Sequence, residues 1–259
     1  MKKLNYFRPV IILFLSLFIF SCASRKNVAY YQNIDQLPNL ESASSYETIL
    51  QPDDLLMIIV MAENPEVAAP FNLPSVIMQS TTELENQQMR MNSYLIDSKG
   101  FIQFPILGPL QIGGLTRTQA IAKITKELEK YIKKPSINLR ILNYKVTVQG
   151  EVTQPGIHNI TSERITLSEA LSMSGDLTVY GKRDNILIIR EVDGKKQATR
   201  VDITKADFLN SPFYYLKQND VVYVEPNKTK VNSSAVGPNT AIVLSSISII
   251  VTIIALTIR

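Results

Sequence analysis

Cysteine and histidine are almost missing from this chain: its 259 residues hold one of each. A single cysteine closes no intrachain disulfide, and the two residues together offer no Cys/His cluster for zinc. The lone His158 follows Pro155-Gly156 on a short strand pattern, where a structural role is expected rather than general-base work, which needs convergent partners. Charge of one sign is scarce too. The net charge is +4, but Lys2, Lys3 and Arg8 lie in an N-terminal stretch without acidic residues; taking these three from 27 basic residues leaves 24 against 23 acidic ones. That balance argues against a basic nucleic-acid-binding face. Glycine is sparse, and Gly108, Gly113 and Gly114 are not followed by the Gly-Lys-Ser/Thr of a phosphate loop. Asp53 and Asp54 are adjacent, so on an extended backbone they point to opposite sides and form no carboxylate pair for glycoside cleavage. We therefore expect no enzyme, no metal and no cofactor.

Long apolar runs occur only at the two ends. After the basic start, Val10 to Phe20 gives an eleven-residue run that is apolar but for Ser16, too short to span a bilayer and suited to the core of a signal peptide over 1–21. The run ends Ile19-Phe20-Ser21-Cys22, which resembles the lipobox of a bacterial lipoprotein. The resemblance implies cleavage before Cys22 and acylation of its thiol, as in palmitate-labelled lipoproteins; the competing reading is an uncleaved anchor with an incidental cysteine. Residues 22–45 are polar and aperiodic, a lipidated tether with local order expected at Tyr30-Tyr31. At the other end, Ala241 to Ile258 runs eighteen residues without a charge, about 27 Å as a helix. Ala241, Ser245, Ser248, Thr252 and Ala255 recur at spacings of four and three, a stripe suited to helix contacts or a polar lumen. A plain tail anchor and a strand are the alternatives; the run is long for one strand and has no hairpin partner, so a transmembrane helix over 241–259 is expected.

The middle of the chain is organised around Tyr94 to Gly156. Two strand patterns, YLID and FIQFP, are joined by Ser98-Lys99-Gly100 and read as a hairpin. Leu107 to Leu115 is punctuated by Gly108, Pro109, Gly113 and Gly114, and the backbone is expected to bend there. Thr116 and Gln119 form a capping box for a helix whose Ile121, Ile124, Leu128 and Tyr131 fall on one face, with Pro135 as its stop. Ile137, Leu139 and Ile141 then alternate with polar residues, and Val146 and Val148 continue the period of two up to a Pro155-Gly156 turn.

These residues resemble the Wza-type outer-membrane polysaccharide export family. The pattern is Asp97, Gly100, Ile102, Pro105, Gly108, then Gly114, Leu115 and Thr116 at the helix start, then Val148, Gly150, Val152, Pro155 and Gly156. The family often has Gly-Asp where this chain has Pro52-Asp53-Asp54 and Asn219-Asp220, and the insert at 63–93, with three prolines and Met78, Met89 and Met91, stands outside the pattern. The resemblance covers about residues 46 to 225. It implies an α+β fold with a polysaccharide-export domain over 46–144 and a β-grasp domain of SLBB type over 145–226, followed by a polar linker at 227–240 and the C-terminal helix.

The remaining pattern fits a β-grasp module: a strand over Ile157 to Ile160, a Thr166/Glu169 capping box opening a helix that ends at Gly175, strands at Asn185 to Val192 and Gln197 to Ile203 around Asp193-Gly194, and a strand at Val221 to Val224. The resemblance further implies a lipid-anchored subunit of a ring-shaped homo-oligomer in the outer membrane. Such a channel exports capsular or extracellular polysaccharide, with its bulk in the periplasm. Expected partners are other copies of the chain, the polysaccharide, membrane lipid and an inner-membrane copolymerase or chain-length regulator, with no nucleic acid. Asp97, Gly100, Pro105, Gly108, Gly114 and Thr116 would be structural or interfacial, and Gly150, Pro155 and Gly156 would shape the β-grasp module. A periplasmic lipoprotein that binds a soluble glycan without forming a pore is the alternative.

Overall fold

A computed structural model describes residues 28–37, 47–74, 93–192, 194–235 and 239–257. Cys22, the apolar run before it and most of the 63–93 insert lie outside the described residues.

The first domain is built on a three-stranded antiparallel sheet in the order β2-β1-β5, with β1 at Leu55–Met61, β2 at Tyr94–Leu95 and β5 at Ser136–Ile141. Strand β1 is apolar throughout, yet only Leu56, Ile58 and Val60 are buried; Leu55, Met57, Ile59 and Met61 face the other side, where Ile59 and Met61 are exposed. By sequence the apolar run Leu55 to Ala62 suits a buried strand; the structure corrects this to a strand covered on one side, because an antiparallel sheet needs cover on one face only. A short helix, α1 (Pro65–Ala68), follows β1. Asn72 ties this stretch to the strand, its amide accepting from the Val60 N–H and donating to the Val60 carbonyl.

A second correction concerns the hairpin. Residues 94–95 pair with β1, while β3 (Phe101–Phe104) pairs with β4 (Gly108–Gln111). The Ser98-Lys99-Gly100 turn is present, but it hands the chain from one sheet to another, and the stretch expected only to bend supplies the second strand of the true hairpin. Helix α2 (Arg117–Leu128) then packs on the domain core through Ala120, Ile124 and Leu128. Its apolar face is turned from the expected one: Tyr131 lies beyond the helix, exposed, with its ring 5.7 Å from that of Phe71.

The second domain has its own core, centred on Val146, Val148, Leu167, Leu171, Ile186, Ile188, Val222 and Val224. Its mixed sheet runs β10-β9-β12-β6-β7, with β6 at Lys145–Gly150, β7 at Gly156–Asn159, β9 at Gly181–Val192, β10 at Lys195–Val201 and β12 at Val221–Pro226. Strands β12 and β6 are parallel and the other neighbours antiparallel. The parallel pair requires a crossover, and helix α3 (Leu167–Met173) lies within it. This helix opens on the Thr166/Glu169 capping box and is flanked by the short pair β8 (Ile165–Thr166) and β11 (Tyr215–Leu216).

Much of the polar linker at 227–240 is helical. Lys228–Ala235 forms helix α4, with the Asn227 side chain accepting from the Lys230 N–H at 3.0 Å, and α5 follows at Asn239–Thr257. Over the described residues no helix is long and apolar enough to cross a membrane, so the expected span is not a feature of the fold as described. The charge-free run of the sequence extends past them to Ile258.

Candidate functional site

The motif residues between Asp97 and Thr116 form a linked set of backbone devices. One oxygen of the Asp97 carboxylate accepts from the Lys99 and Phe101 N–H groups at 2.9 and 2.8 Å, closing a turn in which Gly100 stands at φ +84°. The Gly100 carbonyl accepts from the Ile112 and Gly113 N–H groups at 3.0 and 2.9 Å. This draws the two glycines so close that a Cβ on Gly113 would lie 2.6 Å from the Gly100 Cα. Gly114, at φ +82°, donates to the Leu50 carbonyl, and Thr116 caps α2 reciprocally with Gln119. Pro105 and Gly108 bracket the β3–β4 hairpin, whose tip is an exposed Ile106 at φ +67°. A β-branched residue there is a backbone outlier. These groups arrange the backbone and bring no acid, base or nucleophile together.

In the second domain Gly150, at φ +93°, sits where a Cβ would come within 2.0 Å of the Val224 carbonyl oxygen, so only glycine lets β6 end against β12. The turn expected at Pro155-Gly156 is different: Gly156 has an ordinary φ and opens β7 opposite Val148. His158 Nε2 lies 2.7 Å from Ser174 Oγ, which in turn donates to the Ala170 carbonyl near the end of α3. Among the described residues no group of His, Cys, Asp or Glu is placed to hold a metal.

The two domains meet through polar side chains. Asn143 accepts from the Leu55 N–H at 2.9 Å and donates to the Asp53 carbonyl at 2.8 Å, while Gln218 donates to the Asn143 carbonyl and accepts from the Lys145 N–H. Thr48 and Arg117 both reach Glu163. At the heart of this junction Asp54 is fully buried; one carboxylate oxygen accepts from the Gln51 N–H and the other has no partner. Burial pushes its carboxyl up to about 6, against the opposing pull of the Gln51 N–H and of the nearby Gln218 side chain. Beside the junction opens a cleft of about 1280 Å³, lined by Leu55, Met57 and Leu95 together with Arg140, Lys145 and Ser162.

Three features were not legible in the sequence. Arg190 and Asp220, both buried, form a bidentate pair at 3.0 and 2.6 Å, with Asp220 also accepting from the Lys217 N–H. The Asn219-Asp220 turn thus does two jobs: Asn219 takes the left-handed φ of +65° and Asp220 neutralises a core arginine. Second, the described stretch of the tether around Tyr30-Tyr31 docks on the second domain. The Tyr31 and Gln32 N–H groups donate to the Ile203 and Thr204 carbonyls, Tyr31 shares a hydrogen bond with Ser168, and the Tyr30 hydroxyl donates to Asp176 at 2.6 Å under the Arg183 guanidinium. Burial, with Asp176 beside it, pushes the Tyr30 phenol well up. Third, in α5 the Ser245 and Thr252 hydroxyls donate to their own helix, to the Ile242 and Ser248 carbonyls. Both stripe residues and Ser248 are exposed.

The sequence of the two domains matches known families and proteins. The family described as polysaccharide biosynthesis/export protein matches residues 42–142, and the SLBB domain matches 144–224. The chain thus carries a polysaccharide biosynthesis/export domain followed directly by an SLBB domain. A curated relative, the EPS I polysaccharide export outer membrane protein of Ralstonia solanacearum, is 29% identical over 227 residues, covering 84% of this chain and 57% of the relative. The protein of the same description from Ralstonia nicotianae is 28% identical over 223 residues, covering 83% and 57%. The chain therefore spans a little over half the length of the curated relatives it matches. Polysaccharide export proteins are transport components, not enzymes.

Proposed function

We propose that the protein is a lipid-anchored subunit of an outer-membrane oligomer that passes an extracellular or capsular polysaccharide out of the cell without altering it. The observation that carries this reading is the succession, in one chain, of the export domain with its turn motif and the SLBB domain, matched over most of their length to relatives named for polysaccharide export. Heterologous contacts between identical subunits close into a ring when the rotation allows, and the motif turns and the Ile106 hairpin tip supply faces for them. Cys22 carries the acyl anchor. The charge-free run over 241–258 crosses the membrane as a helix, and copies of it contact one another through Ser245, Ser248 and Thr252. The back-bonded hydroxyls of Ser245 and Thr252 lower the cost of placing them in lipid, so the case for a ring rests on close packing of small residues. An inner-membrane copolymerase or chain-length regulator is the partner that would deliver the polymer.

The test is deletion of the gene, with the polysaccharide measured in the medium and in the periplasm, alongside labelling of an epitope after Arg259 in intact cells. Polymer held inside the deletion strain, restored to the medium by the tagged protein, together with surface labelling, is the expected result. Undiminished secretion would overturn the export role, and labelling only after permeabilisation would overturn the spanning helix. The cleft between the domains favours a second reading, a periplasmic glycan-binding lipoprotein, since it sets apolar and hydrogen-bonding groups side by side. A monomer in detergent that binds soluble glycan would select it.

A further inference from the structure

The loop Gly175–Gly181 between α3 and β9 is held firmly from inside. Leu177 is buried and bridges to Val152, and the buried Arg183 donates to the carbonyls of Leu177, Thr178 and Gly181. What lies between these fixed points faces outward: Val179 is 67% exposed and Tyr180 38%. An apolar pair on a pinned loop is an unusual use of surface, and two further segments converge on it. From the N-terminal side, Tyr30 binds Asp176 and stacks with Arg183. From the C-terminal side, the Asn227 N–H donates to the Tyr180 carbonyl at 2.7 Å, Lys230 Nζ lies 5.3 Å from the centre of the Tyr180 ring, and Val231 is exposed on the same helix.

Both segments lead, over short lengths, to the parts of the chain assigned above to the membrane. Cys22 stands eight residues before Tyr30, a reach of at most about 28 Å for extended chain, and α5 opens at Asn239, nine residues after Lys230. The loop to which both ends are fastened is thus confined near the bilayer. Its chemistry suits that place: an apolar valine, a tyrosine with an apolar body and polar tip, and two lysines able to meet phosphate, of which Lys230 also lies 3.8 Å from the Glu151 carboxylate. We propose that Val179 and Tyr180, flanked by Lys228 and Lys230, are the point at which the SLBB domain touches down on the phospholipid surface of the membrane. The inference rests on the membrane attachment given under Proposed function.

The chain has no tryptophan, so the full-length, lipidated Val179→Trp protein carries a single indole reporter. It is to be reconstituted in phosphatidylethanolamine/phosphatidylglycerol vesicles with and without lipids brominated high on the acyl chain. The expected result is a blue-shifted emission that loses intensity to the brominated lipid and little to aqueous acrylamide. A Leu95→Trp protein, whose reporter sits on the exposed sheet face of the other domain, should show the reverse. If Val179→Trp disturbs the loop, Tyr180→Trp keeps the aromatic platform for Lys230 and gives the same reading. A reporter at either position that behaves like Leu95→Trp, in protein that floats with the vesicles, overturns the touch-down and leaves the attachment standing. Protein that fails to float overturns the attachment, and the touch-down with it.

Discussion

Asp54 makes the junction between the two domains sensitive to pH, and the effect has a calculable sign and size. Its carboxyl moves from an ordinary 3.8 to about 6 on folding, because a fully buried site disfavours the charged form. The folded state therefore binds the proton more tightly than the unfolded chain. The resulting stabilisation is fully present below about pH 3.8 and is lost as pH rises through about 6. A rise of this size corresponds to about 3 kcal/mol, which for a protein of this size is roughly 6–12 °C in melting temperature. In Asp54→Asn this contribution disappears. The amide oxygen can keep the bond from the Gln51 N–H, while the amide nitrogen takes the place of the oxygen that has no partner. Leaving that nitrogen unpaired costs about 1–3 kcal/mol, but this offset does not vary with pH, so the slope carries the test. Urea unfolding of both proteins, followed by circular dichroism between pH 4 and 8, should give a difference in stability that changes by roughly 2 kcal/mol across the range, with the wild type relatively weaker at high pH. Parallel profiles would refute the reasoning. The depressed carboxyls of Glu127 and Glu225 are common to both proteins and drop out of the difference.

Three other outcomes are expected. Asp220→Ala leaves Arg190 charged and buried without its partner and should cost about 3–5 kcal/mol in urea unfolding, whereas Arg190→Met with Asp220→Leu should regain most of that loss. Gly113→Ala and Gly114→Ala should both destabilise, for different reasons that a rescue separates. The first forces the Gly100 backbone apart, at about 1–3 kcal/mol, and asparagine there does no better; the second meets open space and suffers only from φ +82°, so Gly114→Asn should be milder than Gly114→Ala by thermal melting. Tyr30→Ala removes the bond to Asp176 and the stacking on Arg183; amide hydrogen exchange at Tyr31 and Gln32 should quicken markedly while the melting temperature of the SLBB domain moves by no more than a few degrees.

Local chemistry was what the sequence by itself determined. Both capping boxes, Thr116 with Gln119 and Thr166 with Glu169, formed as read, because each joins a hydroxyl to an amide three residues away and needs nothing else. The turn at Gly100 was legible for the same reason. Which strand pairs with which was decided only by the tertiary structure. Tyr94–Leu95 joined β1 instead of β3, since period-two alternation specifies a face and not a neighbour. The apolar face of α2 was placed at Ala120, Ile124 and Leu128 by the sheet beneath it, with Tyr131 left outside. The Arg190–Asp220 pair, the Asn143 and Gln218 bonds between domains, and the docking of Tyr30 and Tyr31 on a loop and helix far along the chain join residues 30 to 146 positions apart. Contacts at such separations leave no period or spacing in a single sequence; they exist only once the two cores have formed and brought those side chains together.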